Sequence, residues 1–327
     1  MKKIIILISL FLFSLNCNSQ ALPANRFYNL NYVLEETTQN PSFAYSLRKL
    51  RSTYNGFAVR VRRSSDNAQA DVSFDSNDVV SGNSLVTVTA VGTSSLSVGQ
   101  VLSYNSFRGS ATIFVITWYD QGPNGYHATQ TSDNLQPTLV LNSASPSNLL
   151  PSILFDGTVP PDYLSVGQPI QNITTNGING SFMLVCKPTQ NTNQRSFGTR
   201  FNSTNWRWSI HMNWGDGKCY FDASESCCAA NRSFSNATNI NLYRQYSFIR
   251  GTNYKTVLLN KNATSLNNAT AISAAQTGGD FLLGSWSENT NSPGFFGNTS
   301  EVIMFPTDLS VTQISPLISN QMLFWGL

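Results

Sequence analysis

Between Trp206 and Asn231 the chain gathers side chains suited to a polyhydroxylated ligand. Trp206, Trp208, Trp214 and Tyr220 offer aromatic planes, and Trp286 adds another further along. His211, Asn213, Asp216 and Asn231 lie among them as hydrogen-bonding groups. An aromatic face against the C–H side of a sugar ring, with planar polar groups on its hydroxyls, is the chemistry of carbohydrate recognition. The same stretch has a plainer reading. Trp206, Trp208, Ile210 and Met212 alternate as residues facing a core do. On that reading Trp208 packs inward, while Trp214 sits in a loop beside Gly215-Asp216-Gly217. Asp216-Gly217 has the composition of a hairpin turn.

Other chemistries find little footing. His127 and His211 are the only histidines, which excludes a histidine-rich metal site. No G-x-S-x-G elbow, phosphate-binding loop or dinucleotide fingerprint occurs. Cofactors are not expected, although loop carboxylates and carbonyls would suit a structural calcium ion. Asp120, at a strand end in Tyr119-Asp120-Gln121-Gly122, reads as an acceptor of turn amides. Glu301 opens a strand and reads as a structural tie.

The elements that must hold these residues are strands. Ala58 to Arg62 alternates apolar and charged residues. Leu85–Val91, Val101–Tyr104, Ile113–Tyr119, Thr138–Leu141 and Ser152–Phe155 follow. Ser181–Lys187, Trp206–Met212, Tyr246–Arg250, Thr256–Leu259, Phe281–Leu283 and Glu301–Phe305 complete the set. Short strands separated by Gly, Asn and Pro predict an all-β, two-sheet jelly-roll sandwich. Two helices are expected. One spans Ser42–Leu50 behind Pro41, with Phe43, Leu47 and Leu50 at helical spacing. The other spans Gln313–Phe324, capped by Ser310, with Pro316 delaying or kinking it.

Only 11% of residues are charged, against about a quarter in ordinary globular chains. The net charge of +3 includes Lys2 and Lys3. That balance leaves no electrostatic footprint for nucleic acid. Lys2-Lys3, the apolar run Ile4–Leu15 and Ser19-Gln20-Ala21 form a signal-peptide pattern over residues 1–21. Residues 22–327 are then expected as one exported domain with no membrane-spanning segment. Lipid anchoring at Cys17 ranks second. Export permits disulfides among Cys186, Cys219, Cys227 and Cys228. Cys227-Cys228 is a vicinal pair or two thiols with different partners, Cys219 being one candidate, and Cys186 reads as a buried thiol.

Several stretches carry a family resemblance. Ala44-Tyr45-Ser46-Leu47-Arg48, Tyr54-Asn55-Gly56 and Val59-Arg60-Val61-Arg62-Arg63-Ser64-Ser65-Asp66 are followed by Thr117-Trp118-Tyr119-Asp120-Gln121 and His127-Ala128-Thr129-Gln130. This order resembles the α-L-arabinofuranosidase B catalytic domain, glycoside hydrolase family 54. Phe155-Asp156-Gly157, Asp162-Tyr163-Leu164, Gly297 to Ile303 and Leu323 to Leu327 resemble the wider concanavalin A-like, laminin-G-like superfamily. The resemblance implies a β-sandwich that releases arabinofuranose with retention of configuration. That reaction needs two carboxylates about 5–5.5 Å apart.

The family's nucleophile is a glutamate, and the matching stretch His211–Gly217 holds only Asp216. Its acid/base region matches Gly284–Asn289, where Glu288 is the nearest carboxylate. The resemblance also implies a sugar site near Cys227-Cys228. Because neither catalytic carboxylate matches its position, a non-catalytic glycan-binding or adhesive module is the leading expectation. An active hydrolase using Asp216 and Glu288 is the alternative, and a surface protein contacting other proteins is the third. The sugar-binding residues expected are His211, Asn213, Trp214, Cys227, Cys228 and Trp286.

Overall fold

The computed structural model describes residues 31–144, 149–199, 207–225, 232–235, 240–266, 279–286 and 291–327. The first strands are β1 (Phe43–Ser46), β2 (Val59–Arg63), β3 (Gln69–Val72), β4 (Leu85–Ala90) and β5 (Val101–Ser103). Helix α1 (Tyr104–Arg108) leads into β6 (Ile113–Trp118), β7 (Ala128–Thr129), β8 (Thr138–Ala144), β9 (Leu149–Phe155) and β10 (Leu164–Pro169). After α2 (Ile170–Ile173) come β11 (Gly180–Pro188), β12 (Phe197–Thr199), β13 (Arg207–His211), β14 (Lys218–Glu225) and β15 (Ser233–Ser235). The last elements are β16 (Arg244–Arg250), β17 (Lys255–Leu259), β18 (Asn262–Ser265), β19 (Asp280–Leu283), β20 (Gly297–Phe305) and α3 (Val311–Trp325).

Every pairing is antiparallel, and the pairings trace two sheets. One runs β5-β4-β3-β2-β6-β7-β10-β19-β12-β13-β14-β15. The other runs β8-β9-β20-β11-β16-β17-β18, with β1 also on the β9 edge of β20. A single register pair, Phe114 with Thr138, joins them. Alternate residues of both sheets fill the space between. Val59, Val61, Trp118, Phe197, Trp208 and Phe221 come from the first sheet, and Phe43, Phe182, Phe248 and Met304 from the second. This is the expected two-sheet β-sandwich, and all twelve strands read from the sequence are present.

The N-terminal helix is not. Phe43–Ser46 is an edge strand whose register runs from Phe43 opposite Met304 to Ser46 opposite Glu301. Phe43 and Tyr45 enter the inter-sheet core, while Ala44 faces a second apolar layer. A short strand buried on both faces lacks the wet alternate positions that distinguish strand from helix. Beyond it, the Gln121 side chain takes the place of a neighbouring strand. Its carbonyl accepts from Leu50 N–H, and its amide donates to the carbonyls of Ser46 and Arg48.

The outer face of the second sheet is roofed by α3. Ile314, Leu317 and Ile318 pack on Met183, Ile249, Ile303 and Phe305. Ser310 caps the helix as expected, in a reciprocal capping box with Gln313. The helix begins at Val311, ahead of Pro316, so the proline does not delay it. Beneath the roof, Glu301 is fully buried. It accepts from Arg48 through Nε (2.7 Å) and Nη2 (3.0 Å), from Trp325 Nε1, from Gln321 and from the Ser46 hydroxyl.

Asp120 also has its expected role, accepting from the amides of Ala44, Gly122 and Tyr126. Burial still raises its pKa, against those three donors. Cys186 and Cys219 are buried free thiols, so Cys219 does not pair with either neighbouring cysteine. No helix among the described residues is long and apolar enough to cross a membrane.

Candidate functional site: the outer face of the β13–β14 hairpin

Register decides which side chains share the outer face of the first sheet. Arg60, Thr117, Thr129, Ser165, Leu282, Gly198, Ser209 and Asp222 stand opposite one another strand by strand. On β13 and β14 the inward positions are Trp208, Ile210, Cys219, Phe221 and Ala223. Trp208 meets Phe221 edge to face, which makes it core, as the plainer reading had it. The alternate positions therefore face outward, with Ser209 opposite Asp222 and His211 opposite Tyr220. One polar set thus lies on two adjacent strands because each strand alternates against a hydrophobic core.

Asp222 is the centre of this set. It is fully buried and paired with Arg232, whose Nε and Nη2 lie 2.5 and 2.7 Å from its two oxygens. His211 Nε2 lies 3.7 Å from Asp222, and its Nδ1 lies 3.3 Å from the Gln194 carbonyl. The imidazole is wedged edge-on between two indoles, Trp214 at 5.2 Å and Trp286 at 5.0 Å between ring centroids. The Arg195 guanidinium lies over Trp286 (5.3 Å) and at the margin of Trp214 (6.0 Å). Arg232 stacks over Tyr220 at 4.6 Å. Trp286 is buried, while Trp214 and Tyr220 are half-exposed, so the cluster runs from a buried acid to a partly wet aromatic rim.

The turn joining the strands is built as its composition suggested. Asn213 adopts a left-handed φ of 48° and is buried. Trp214 N–H donates to the Lys218 carbonyl at 2.7 Å. Asp216 is exposed. Its Oδ1 accepts from Lys218 N–H at 3.0 Å, and its Oδ2 accepts from the Tyr220 hydroxyl at 2.7 Å. Burial raises its pKa, but the bonds from Tyr220 and Lys218 and the Lys218 charge together outweigh it and hold the carboxyl below its usual range. The same bond raises the Tyr220 phenol.

The structure thus brings together His211, Trp214 and Trp286, with Asn213 and Asp216 in the adjoining turn. Glu288, Cys227, Cys228, Trp206 and Asn231 lie outside the described residues. Asp222, Arg232 and Arg195 were not read as site residues. The signal for Asp222 was present in Lys218-Cys219-Tyr220-Phe221-Asp222-Ala223, whose alternation marks a strand with Asp222 on its polar side. Among the described residues no group of three His, Cys, Asp or Glu side chains could hold a metal ion.

No family model and no curated protein matches the chain. Solved structures do match its shape. An arabinofuranosidase complexed with arabinofuranosyl-α-1,2-xylobiose superposes with a TM-score of 0.61 at 14% identity, covering 88% of this chain and 63% of that one. A GH54 α-L-arabinofuranosidase soaked with a cyclic sulfate inhibitor gives a TM-score of 0.60, with the same identity and coverage. The chain therefore spans less than two thirds of the length of these neighbours. At such identity the likeness is one of fold, and it is the fold that the resemblance implied.

Proposed function

We propose that the protein is an exported carbohydrate-recognising β-sandwich that binds glycan through the outer face of β13 and β14. The observation that carries this reading is the placing of a buried Asp222–Arg232 pair behind His211, Trp214, Tyr220 and Trp286. Aromatic edges and faces suit the C–H side of a pyranose or furanose ring, and Arg232, held by the buried Asp222 and itself 15% exposed, offers directed hydrogen bonds to its hydroxyls. The fold shared with arabinofuranosidases supports a glycan over other ligands and makes an arabinose-substituted xylo-oligosaccharide the first probe. Titration calorimetry of the intact chain with that probe tests the reading. Saturable heat, lost in Trp214→Ala and Asp222→Asn while both variants stay folded, is expected. Binding indifferent to both substitutions overturns the assignment.

A second reading, retaining hydrolysis of arabinofuranosides, is favoured by the exposed and ionised state of Asp216, which is the state a nucleophile needs. Glu288 would serve as its acid/base partner. Release of p-nitrophenol from p-nitrophenyl α-L-arabinofuranoside, abolished by both Asp216→Asn and Glu288→Gln, would establish it. A folded chain that binds the oligosaccharide without turnover would leave the binding role alone.

A further inference from the structure

Away from the hairpin, the two sheets part beside β6 and β8, where only Phe114 and Thr138 connect them. Two depressions lie there, of about 330 and 260 Å3. The larger reaches the lower end of the size range of small-molecule sites, about 300 Å3. Arg108, at the end of α1, and Leu141, on β8, line both. Among the described residues neither lining contains a carboxylate.

Arg108 differs in this from five other arginines of the chain. Arg48, Arg60, Arg62, Arg63 and Arg232 each meet an acidic side chain. Among the described residues Arg108 donates only to the Ala111 carbonyl, through Nε at 3.4 Å, and the guanidinium is exposed. The side-chain amides of Asn83 and Asn105, in the larger depression, make no hydrogen bond among the described residues. A Cβ at Gly82 would come within 2.4 Å of the Asn105 amide, so glycine at this position leaves that amide room against the backbone. Leu141, Leu150 and Pro151 add an apolar part to the same lining.

We propose that these depressions form a second saccharide site, for an acidic sugar whose carboxylate or sulfate takes Arg108. A guanidinium with uncommitted Nη donors and no acid within the lining selects an anion and binds a planar carboxylate in bidentate fashion. Two planar amides and three apolar side chains in one lining suit the hydroxyls and the C–H face of the ring that carries it. Two adjoining depressions sharing one arginine place neighbouring sugar units on either side of the charged one. This inference rests on the glycan reading for its choice of ligand but uses none of the β13–β14 residues.

The test is calorimetry of the full chain with oligogalacturonate, its carboxyl-reduced neutral counterpart and a sulfated galactan oligomer. Arg108→Gln, Asn105→Ala and Trp214→Ala are run alongside, with thermal melts to check folding. Oligogalacturonate, the sulfated oligomer or both should bind the wild type. Affinity should fall at least about tenfold in Arg108→Gln and for the neutral counterpart, the cost of one charge-assisted hydrogen bond. Trp214→Ala should leave it unchanged. Failure of both acidic oligomers to bind, or binding insensitive to Arg108→Gln, overturns the proposal. If the wild-type chain binds the acidic oligomers but not the arabinoxylo-oligosaccharide, the β13–β14 assignment falls and this one stands.

Discussion

Two buried acid–arginine pairs lie on the outer faces of the two sheets. Glu301 and Arg48 sit under α3, while Asp222 lies on β14 and takes Arg232 from the residue just before β15. Both carboxylates are fully buried. Their cations differ: Arg48 is 2% exposed and Arg232 15%. Glu301 is enclosed by donors from Arg48, Gln321, Trp325 and Ser46, with Asn320 taking another Arg48 nitrogen at 2.8 Å. Asp222 is bordered instead by an imidazole, two indoles and a phenol that reach a half-exposed rim. The same chemical pair thus ties a helix to a sheet in one place and backs a prospective ligand surface in the other. Among the described residues, what separates the roles is that a helix covers the first pair and no third layer covers the second.

That contrast can be broken by substitution. Arg48→Ala leaves a buried carboxylate without its cation and should cost about 3–5 kcal/mol. Denaturant unfolding measures it, and a loss below about 1 kcal/mol would remove the distinction between the pairs. Asp222→Asn should act mainly on binding, with a loss of ten- to hundredfold, or about 1.4–2.8 kcal/mol. Its melting temperature should change less than that of Arg48→Ala. Ser310→Ala removes the cap of the roof helix and should destabilise by about 1 kcal/mol with no effect on glycan affinity.

A separate effect concerns a carboxyl with no arginine. Burial pushes the Asp162 pKa up to about 7, with the Asp156 amide opposing and the Asp156 charge assisting. Its ordinary value is 3.8. Between those values the native state holds a proton that the unfolded chain has released. This group therefore favours folding at low pH and loses that contribution as pH rises through about 7. Asp162→Asn should flatten the pH dependence of stability across that window. An unchanged slope would mean that Asp162 titrates alike in the folded and the unfolded chain.

Much of the architecture was legible from alternation alone. Val59-Arg60-Val61-Arg62 read as a strand from its alternation, and Ser310 with Gln313 announced the start of the last helix. Trp208 as core and Asp216 in a turn were likewise readable from spacing and from glycine. The failures share a cause. Phe43–Ser46 read as helix because both its faces are buried, and burial on the second face is conferred by α3, more than 260 residues away. Asp222 went unread because an acid on a strand is unremarkable until His211, Arg232 and Trp286 are brought to it from other strands and loops. Local sequence determined periodicity, caps and turns, since those depend on neighbours a few residues apart. Tertiary structure alone decided which outward faces are roofed and which remain reachable, because covering a face depends on segments distant in the chain.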